Sequence, residues 1–215
     1  MYQTHRARAR GPVILPDHIV PAWTHPQAQA YLRGRGLNHE EVQRYDLSFC
    51  SKGYMANRII IPMYSEAGIL VAYQGRSIDP HAHDEVRYLT EGPRPLYCPW
   101  DVGDVVIGSP LVVVEGPFDV YAVSKVVKSV GATLSIQPSE RQIQEIVQAA
   151  GLIHSSQILV WYDAGARSEA YALKLKLNPY VLSYVVESNK KDPGECLSEE
   201  IDVVLNAARG DHGHT

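Results

Sequence analysis

The second half of the chain alternates short apolar runs with segments of helical periodicity, and this alternation limits the possible folds more than any other feature. The runs are "LVVV" (111–114), "QILVWY" (157–162) and "YVLSYVV" (180–186). Amphipathic segments such as "PSERQIQEIVQAA" (138–150) separate them. Strands that are apolar throughout are buried on both faces, which is typical of a parallel sheet covered by helices. We therefore predict an α/β fold with a Rossmann-like parallel sheet flanked by helices.

Acidic residues follow each of these runs. Glu115 follows the first run, with Asp119 four residues later, Asp163 follows the second, and Asp192 lies in "KDPGE" beyond the third. Each residue alone is more typical of a turn or a helix cap than of a ligand site. In an open parallel sheet, however, ligands bind beyond the carboxyl ends of the strands. Carboxylates that meet there repel one another unless a hard divalent cation lies between them, so the pattern predicts a magnesium site suited to phosphoryl transfer.

The first half has a different pattern and predicts a smaller α+β subdomain. The predicted elements are two short helices, in 25–37 and 38–49, and two strands, in 57–64 and 68–76. Asn38 is a suitable N-cap for the second helix, because Glu41 follows three residues later. The turn-rich "SEAG" between the two strands indicates a hairpin. Residues 79–110 are rich in Pro, Gly and His, and we expect loops there around a short segment at "VRYLT".

Composition excludes several classes of protein. The 215 residues suffice for one ordinary domain or two small ones. No apolar run approaches the roughly 18 residues that cross a bilayer, and a signal-peptide pattern is lacking, so we expect a cytoplasmic protein without a membrane partner. Three cysteines without a CxxC pair argue against a cysteine zinc site. Residues 1–58 carry eight Lys and Arg against four Asp and Glu, so a polyanion should favour this end of the chain.

Taken together, these segments resemble the catalytic core of DnaG-type primases. "LVVVEGPFDVYAV" resembles the first motif of the TOPRIM domain, "ILVWYDAGARSEA" the second, and "NKKDPGE" the Lys-Asp-Pro segment after the fourth strand. Upstream, "YLRGRGLNHEEVQRYDLSF", "NRIIIPMYSEAGILVAYQGRSI" and "VRYLTEGPRPLY" resemble the entry helices and the basic subdomain of that core. The motifs occur in the family's order over residues 26–200.

The resemblance implies a primase-type, DNA-directed RNA polymerase that uses Mg²⁺ or Mn²⁺ to make short primers from nucleoside triphosphates on single-stranded DNA. It implies that the catalytic residues are Glu115, Asp163 and Asp192. The implied metal residues are these three together with Asp119, in a supporting role, and Glu195. The implied contacts to nucleic acid or nucleotide are Arg58, Arg76, Arg87 and Lys191. Arginine suits this task because its planar fork pairs with two phosphate oxygens.

The chain departs from the family pattern at two of these motifs. The second motif of the family has two aspartates separated by one residue, whereas here Asp163 is followed by Ala164 and Gly165. Either a glycine replaces the second aspartate or a short deletion has removed it, and one metal ligand is missing from its place. In the third motif Gly194 comes before Glu195. Either Glu195 is a substitute ligand, or the site holds one metal ion where the family can hold more. Glu169, early in the next helix, either reaches back to the site or is an exposed residue near a positive helix terminus, and we favour the second interpretation.

We expect a basic tail (1–24), a nucleic-acid-binding subdomain (25–108) and a TOPRIM domain (109–215), with the site in the cleft between the last two. The zinc-binding and helicase-binding domains of larger primases and a P-loop are not recognised. A separately encoded helicase or polymerase is therefore the expected partner, and a virus or mobile genetic element the expected source. The alternatives are a catalytically reduced TOPRIM protein that binds nucleic acid or another protein, and a metal-dependent TOPRIM nuclease.

Overall fold

The structure is a computed structural model that describes residues 12–65, 67–188 and 192–210. It divides into two compact units. The described residues up to Gly34, with Asn38–Arg94, form the first, which we call the antiparallel unit. Arg35–Leu37 and the described residues from Pro95 onward form the second, the parallel unit.

The antiparallel unit contains a five-stranded sheet in the order β1-β2-β3-β4-β5. Its strands are β1 (Ile19–Pro21), β2 (Ser48–Cys50), β3 (Arg58–Tyr64), β4 (Leu70–Ser77) and β5 (Tyr88–Glu91). Its helices are α1 (Pro26–Gly34), α2 (His39–Arg44) and the single turn α3 (Asp84–Arg87). The predicted hairpin is confirmed, because β3 and β4 pair antiparallel around the turn that begins at Ser65.

The entry helices are confirmed only in part. Asn38 and Glu41 form the predicted capping box at the start of α2. The second helix was predicted to run to residue 49, but α2 ends at Arg44, and Ser48–Cys50 forms β2. Phe49 and Cys50 are buried in the sheet, so tertiary packing outweighs the local helical pattern at this point.

The parallel unit contains a four-stranded sheet in the order β7-β6-β8-β9, and all its pairs are parallel. Its strands are β6 (Leu111–Val114), β7 (Val130–Ala132), β8 (Gln157–Trp161) and β9 (Leu182–Val185). Its helices are α4 (Pro117–Val123), α5 (Glu140–Leu152), α6 (Arg167–Leu177) and α7 (Ser198–Gly210). All four residues of β6 are buried, which is why this strand is apolar throughout. The predicted fold class, a parallel sheet flanked by helices with a smaller α+β part before it, is confirmed.

The strand order creates a switch point in the parallel sheet. The chain leaves β6 for β7 on one side and then returns to β8 on the other side of β6. The loops that follow β6 and β8 therefore diverge, and this is where open α/β sheets bind their ligands. Among the described residues, the structure contains no helix long and apolar enough to span a bilayer.

Candidate functional site: an acidic edge of the parallel sheet

Glu115 and Asp163 lie at the switch point, at the ends of the neighbouring strands β6 and β8. Val114 pairs with Trp161 in the sheet, so Glu115 and the residues just beyond Trp161 leave it side by side. Both acidic residues are partly buried. Together with Asp119 and Asp192 they form what we call the acidic edge.

Asp119 connects the first and third motifs. One of its carboxylate oxygens accepts a hydrogen bond from the backbone N–H of Gly116 at 2.9 Å, closing the first turn of α4. The other oxygen accepts from the backbone N–H of Gly194, 75 residues away in sequence, at 3.1 Å. Asp119 therefore fastens the third motif to the turn that follows Glu115.

Asp192 and Gly194 are packed against this connection. Asp192 precedes a 3₁₀ turn, Pro193–Glu195, and its carbonyl accepts a hydrogen bond from the N–H of Glu195 at 3.2 Å. A methyl group on Gly194 would lie 2.8 Å from Oδ1 of Asp119 and 3.3 Å from Oδ1 of Asp192, so both carboxylates face the same small space. Glu195 lies in the same turn but is exposed.

The surroundings of the acidic edge disfavour the ionised forms of Glu115 and Asp119. Burial, followed by the charges of Asp163, Asp192 and Glu169, raises the pKa of Glu115 to about 7. Burial, followed by the charges of Asp192 and Asp163, raises the pKa of Asp119 to about 8, although its two backbone hydrogen bonds act in the opposite direction. Burial disfavours the ionised form of each carboxyl group and the neighbouring negative charges add to this effect, so either a proton or a cation stabilises the site.

The residues fit a hard divalent cation by their chemistry. All the candidate ligands are carboxylate oxygens, which Mg²⁺ and Mn²⁺ prefer. In residues 12–65, 67–188 and 192–210, no three His, Cys, Asp or Glu side chains form a ready-made metal cage. Magnesium does not need one, since it usually keeps several waters and binds one or two carboxylates together with substrate phosphates. The acidic edge fits that mode of binding better than a closed structural site.

Glu169 belongs to this neighbourhood more closely than its sequence position indicates. It lies in the first turn of α6 and is partly exposed, yet its charge contributes to the raised pKa of Glu115. The hydroxyl of Ser168 donates to it at 2.7 Å, and this hydrogen bond lowers the pKa of Glu169. An ionised carboxylate therefore lies at the margin of the acidic edge.

The three predicted arginines within the described residues belong to the antiparallel unit, and Arg58 is the most enclosed. Its side chain is 8% exposed, and burial, assisted by the nearby charge of Arg76, lowers its pKa. Its Nη1 donates to the carbonyl oxygens of Gly75 at 3.1 Å and Arg87 at 3.3 Å. Gly75 leaves room for this side chain, because a methyl group there would lie 3.0 Å from Cδ of Arg58. Arg58 thus ties β3, β4 and α3 together.

Arg76 is held in place but keeps exposed surface. Its Nε donates to the hydroxyl of Tyr31 at 3.0 Å, and its guanidinium lies 4.7 Å from the ring centre of Tyr88. Arg87, at the end of α3, is partly exposed. Sequence reasoning did not identify Tyr31, although it lies within the "YLRGRGL" segment that carries the family resemblance. Lys191, the fourth predicted contact, lies outside the described residues.

Comparison with known proteins gives one consistent result. No protein-family model matches the chain, and no curated protein matches it either. Solved structures do match. The catalytic domain of a DnaG primase bound to single-stranded DNA is 20% identical, with a TM-score of 0.71 over 87% of this chain and 74% of that one.

Two further neighbours come from different sources. A primase of Aquifex aeolicus comprising zinc-binding and RNA polymerase domains is 16% identical, with a TM-score of 0.71 over 86% of this chain and 56% of that one. The primase fragment of the bacteriophage T7 primase-helicase is 15% identical, with a TM-score of 0.56 over 82% of this chain and 72% of that one. The chain therefore has the fold of a DnaG-type primase catalytic core, in which a TOPRIM-type parallel sheet follows an antiparallel subdomain.

Proposed function

We propose that this protein is a primase-like nucleotidyltransferase that joins nucleoside triphosphates into short primers on a single-stranded DNA template. The observation that carries the proposal is the acidic edge, in which burial, followed by the charges of neighbouring carboxylates, raises the pKa of Glu115 and Asp119 at the switch point of a primase-core fold. Such a site attracts a divalent cation and the phosphates that accompany it.

The acidic residues have distinct parts in this proposal. Glu115, Asp163 and Asp192 would hold Mg²⁺ or Mn²⁺, which when bound neutralises triphosphate charge and favours attack by a 3′-hydroxyl. Asp119 would act in support, because its oxygens already accept hydrogen bonds from Gly116 and Gly194. Glu195 is exposed in the 3₁₀ turn of the third motif, and its side chain would have to rotate toward the metal to act as a ligand.

The arginines would bind the polyanionic template, primer or triphosphate. Arg76 and Arg87 have exposed surface for phosphate contacts, and Lys191 would add a third cation. Arg58 already donates hydrogen bonds to the carbonyl oxygens of Gly75 and Arg87. Its main proposed role is therefore to hold the backbone at Arg87 in position, with little of its own surface left for phosphate. Support for a DNA ligand comes from the neighbour bound to single-stranded DNA and from the Mycobacterium tuberculosis primase domain in complex with a DNA duplex carrying an overhang. A separately encoded helicase or polymerase would recruit the protein to its template.

A second candidate is a nucleic-acid-binding module that has lost catalysis. It is favoured by the second motif, in which Ala164 and Gly165 follow Asp163 and the second aspartate of the family pattern is missing. In that case the acidic edge would remain without turning over substrate. A nuclease would use the same carboxylates with water in place of the 3′-hydroxyl.

Incubation with single-stranded DNA, labelled nucleoside triphosphates and Mg²⁺ or Mn²⁺ tests the proposal. We expect short new oligonucleotides from the wild type and on the order of a hundredfold less, or lower still, from Glu115→Gln, because this change removes a carboxylate that would hold the metal, and a bound metal supplies several kcal/mol of transition-state charge stabilisation. The control is Glu199→Gln, an exposed change on α7 that should leave synthesis intact. Full synthesis by Glu115→Gln contradicts the catalytic assignment. Template cleavage indicates the nuclease, and binding without product indicates the module.

A further inference from the structure

A groove lies in the parallel unit beside the acidic edge. It has a volume of about 570 Å³, which is within the range of small-molecule sites. The loop after β7 forms one wall and α6 forms the other. Its lining residues include Ile136, Pro138, Ser168, Glu169, Leu173 and Lys176.

Two connections place the groove next to the acidic edge. The backbone N–H of Leu134, at the start of the loop, donates to the carbonyl oxygen of Glu115 at 2.9 Å. On the opposite wall, the charge of Glu169 helps to raise the pKa of Glu115. A molecule whose phosphates reach the acidic edge can therefore place its remaining part in the groove.

The lining has the chemistry of a nucleoside site rather than of a phosphate site. Ile136, 38% exposed, presents apolar surface with Pro138 and Leu173, which suits the face of a base. Lys176 is the lining cation, and its ammonium already lies 3.3 Å from the carboxylate of Glu140. The lining also contains Glu169, an ionised acceptor that would repel phosphate but accept hydrogen bonds from hydroxyl groups.

We infer that this groove binds the nucleoside half of the incoming triphosphate and that Glu169 accepts a hydrogen bond from its ribose 2′-hydroxyl. An acidic side chain that accepts from a ribose 2′-hydroxyl is the device by which dinucleotide-binding folds recognise the sugar. The hydroxyl of Ser168 donates to one oxygen of the Glu169 carboxylate and leaves its other lone pairs for the sugar. The inference rests on the proposed function and makes it more specific, because a site of this kind selects ribonucleotides over deoxyribonucleotides.

The first test compares the binding of ATP and 2′-deoxyATP in Mg²⁺ by calorimetry. The wild type should bind ATP roughly tenfold more tightly, since one hydrogen bond to a charged group accounts for a factor of that order. Glu169→Gln and Glu169→Ala should reduce the preference to about threefold or less by weakening ATP alone. Ile136→Ser should weaken both nucleotides equally, because it changes the apolar surface under the base. Glu199→Gln is the control for charge loss away from the groove.

The second test measures kcat/KM for incorporation of ribo- and deoxyribonucleotides on the same template. The ratio should fall in the Glu169 variants in parallel with the binding preference. If the wild type makes primers but the Glu169 variants keep its sugar preference, the ribose assignment is wrong and the proposed function stands. If the wild type neither binds nucleotide nor makes primers, the proposed function and this inference both fail. Equal use of both sugars by the wild type overturns the inference alone.

Discussion

Two turns of the parallel unit begin alike in sequence and in local structure. Asp163 precedes the 3₁₀ turn Ala164–Ala166, and Asp192 precedes the 3₁₀ turn Pro193–Glu195. In each turn a glycine lies two residues after the aspartate. From the sequence alone, both motifs depart from the family pattern, and each has a glycine at this position.

The surroundings of the two glycines differ. A methyl group on Gly165 would meet no heavy atom of the described chain within 4 Å. A methyl group on Gly194 would lie 2.8 Å from Oδ1 of Asp119, and the N–H of Gly194 donates to that same oxygen. The space beside Gly194 is therefore filled by Asp119, whereas the space beside Gly165 is open.

This difference shows that one kind of substitution can have two structural meanings. At Gly194 the small residue is needed, because it lets Asp119 fasten the third motif to α4. At Gly165 no such contact requires a glycine, and the turn keeps room for a larger side chain. The turn at Gly194 is packed against Asp119, whereas the turn at Gly165 leaves open space beside the acidic edge.

The largest effect on stability that we expect from this difference is that of Gly194→Ala. Inserting a methyl group where it would lie 2.8 Å from a carboxylate oxygen should lower the free energy of unfolding by about 1–3 kcal/mol. Gly165→Ala, the matched change in the open turn, should stay within about 0.5 kcal/mol of the wild type. Chemical denaturation of both variants measures the difference, and equal losses would remove the distinction between the turns.

A double-mutant cycle identifies the partner in this contact. If the methyl group conflicts with the carboxylate of Asp119, then Asp119→Ala should abolish most of the additional cost of Gly194→Ala, because the two residues share one interaction. Costs that add independently would show that the strain at Gly194 comes from another neighbour, such as Asp192.

Much of the parallel sheet could be predicted from sequence, because its strands are buried on both faces and their apolar runs are distinct. The strand-end positions of Glu115 and Asp163 followed from the same pattern and from the rule that places ligands at those ends. The helix α7 was not predicted, although Ile201 and Leu205, both buried, have helical spacing. The sequence signal for α7 was therefore present, and the same reasoning that predicted α5 and α6 would have found it.

Other features depend on contacts between distant parts of the chain and had no local signal. The hydrogen bond from Gly194 to Asp119 joins residues 75 positions apart, so neither motif alone reveals it. The burial of Arg58 depends on the space that Gly75 leaves on the neighbouring strand. The roles assigned to the acidic residues and arginines remain predictions, which the experiments proposed above test.

The second expected effect is a dependence of stability on pH. It distinguishes stabilisation of the acidic edge by protons from stabilisation by a divalent cation. In the folded protein the pKa of Glu115 is about 7 and that of Asp119 about 8, both above their ordinary values near 4. The folded state therefore binds more protons than the unfolded state, and stability should fall as the pH rises from about 5 to 8. The loss should be on the order of a few kcal/mol in EDTA, most of it from Asp119, which is the more deeply buried carboxylate and has the higher pKa.

Magnesium or manganese should restore stability at pH 8 and add little at pH 5, where protons already relieve the repulsion. Thermal unfolding across this pH range, with and without the cation, measures both effects. Asp119→Asn should flatten the pH dependence, while the exposed change Glu199→Gln should leave it unchanged. A stability that rises between pH 5 and 8 would contradict the repulsion inferred for Glu115 and Asp119.

The smallest expected effect is a gain of function at the open turn. Gly165→Asp places a second carboxylate two residues after Asp163 in unoccupied space, so folding should be unchanged and Mn²⁺ should bind about three- to tenfold more tightly, a gain of roughly 1 kcal/mol. Gly165→Asn, of equal size without the charge, is the matched control, and calorimetric titration with Mn²⁺ separates the two. Gly194→Asp should instead lose stability, because Asp119 already fills that space. If Gly165→Asp and Gly165→Asn bind Mn²⁺ equally well, the open turn does not face the cation, and the contrast between the turns is one of packing alone.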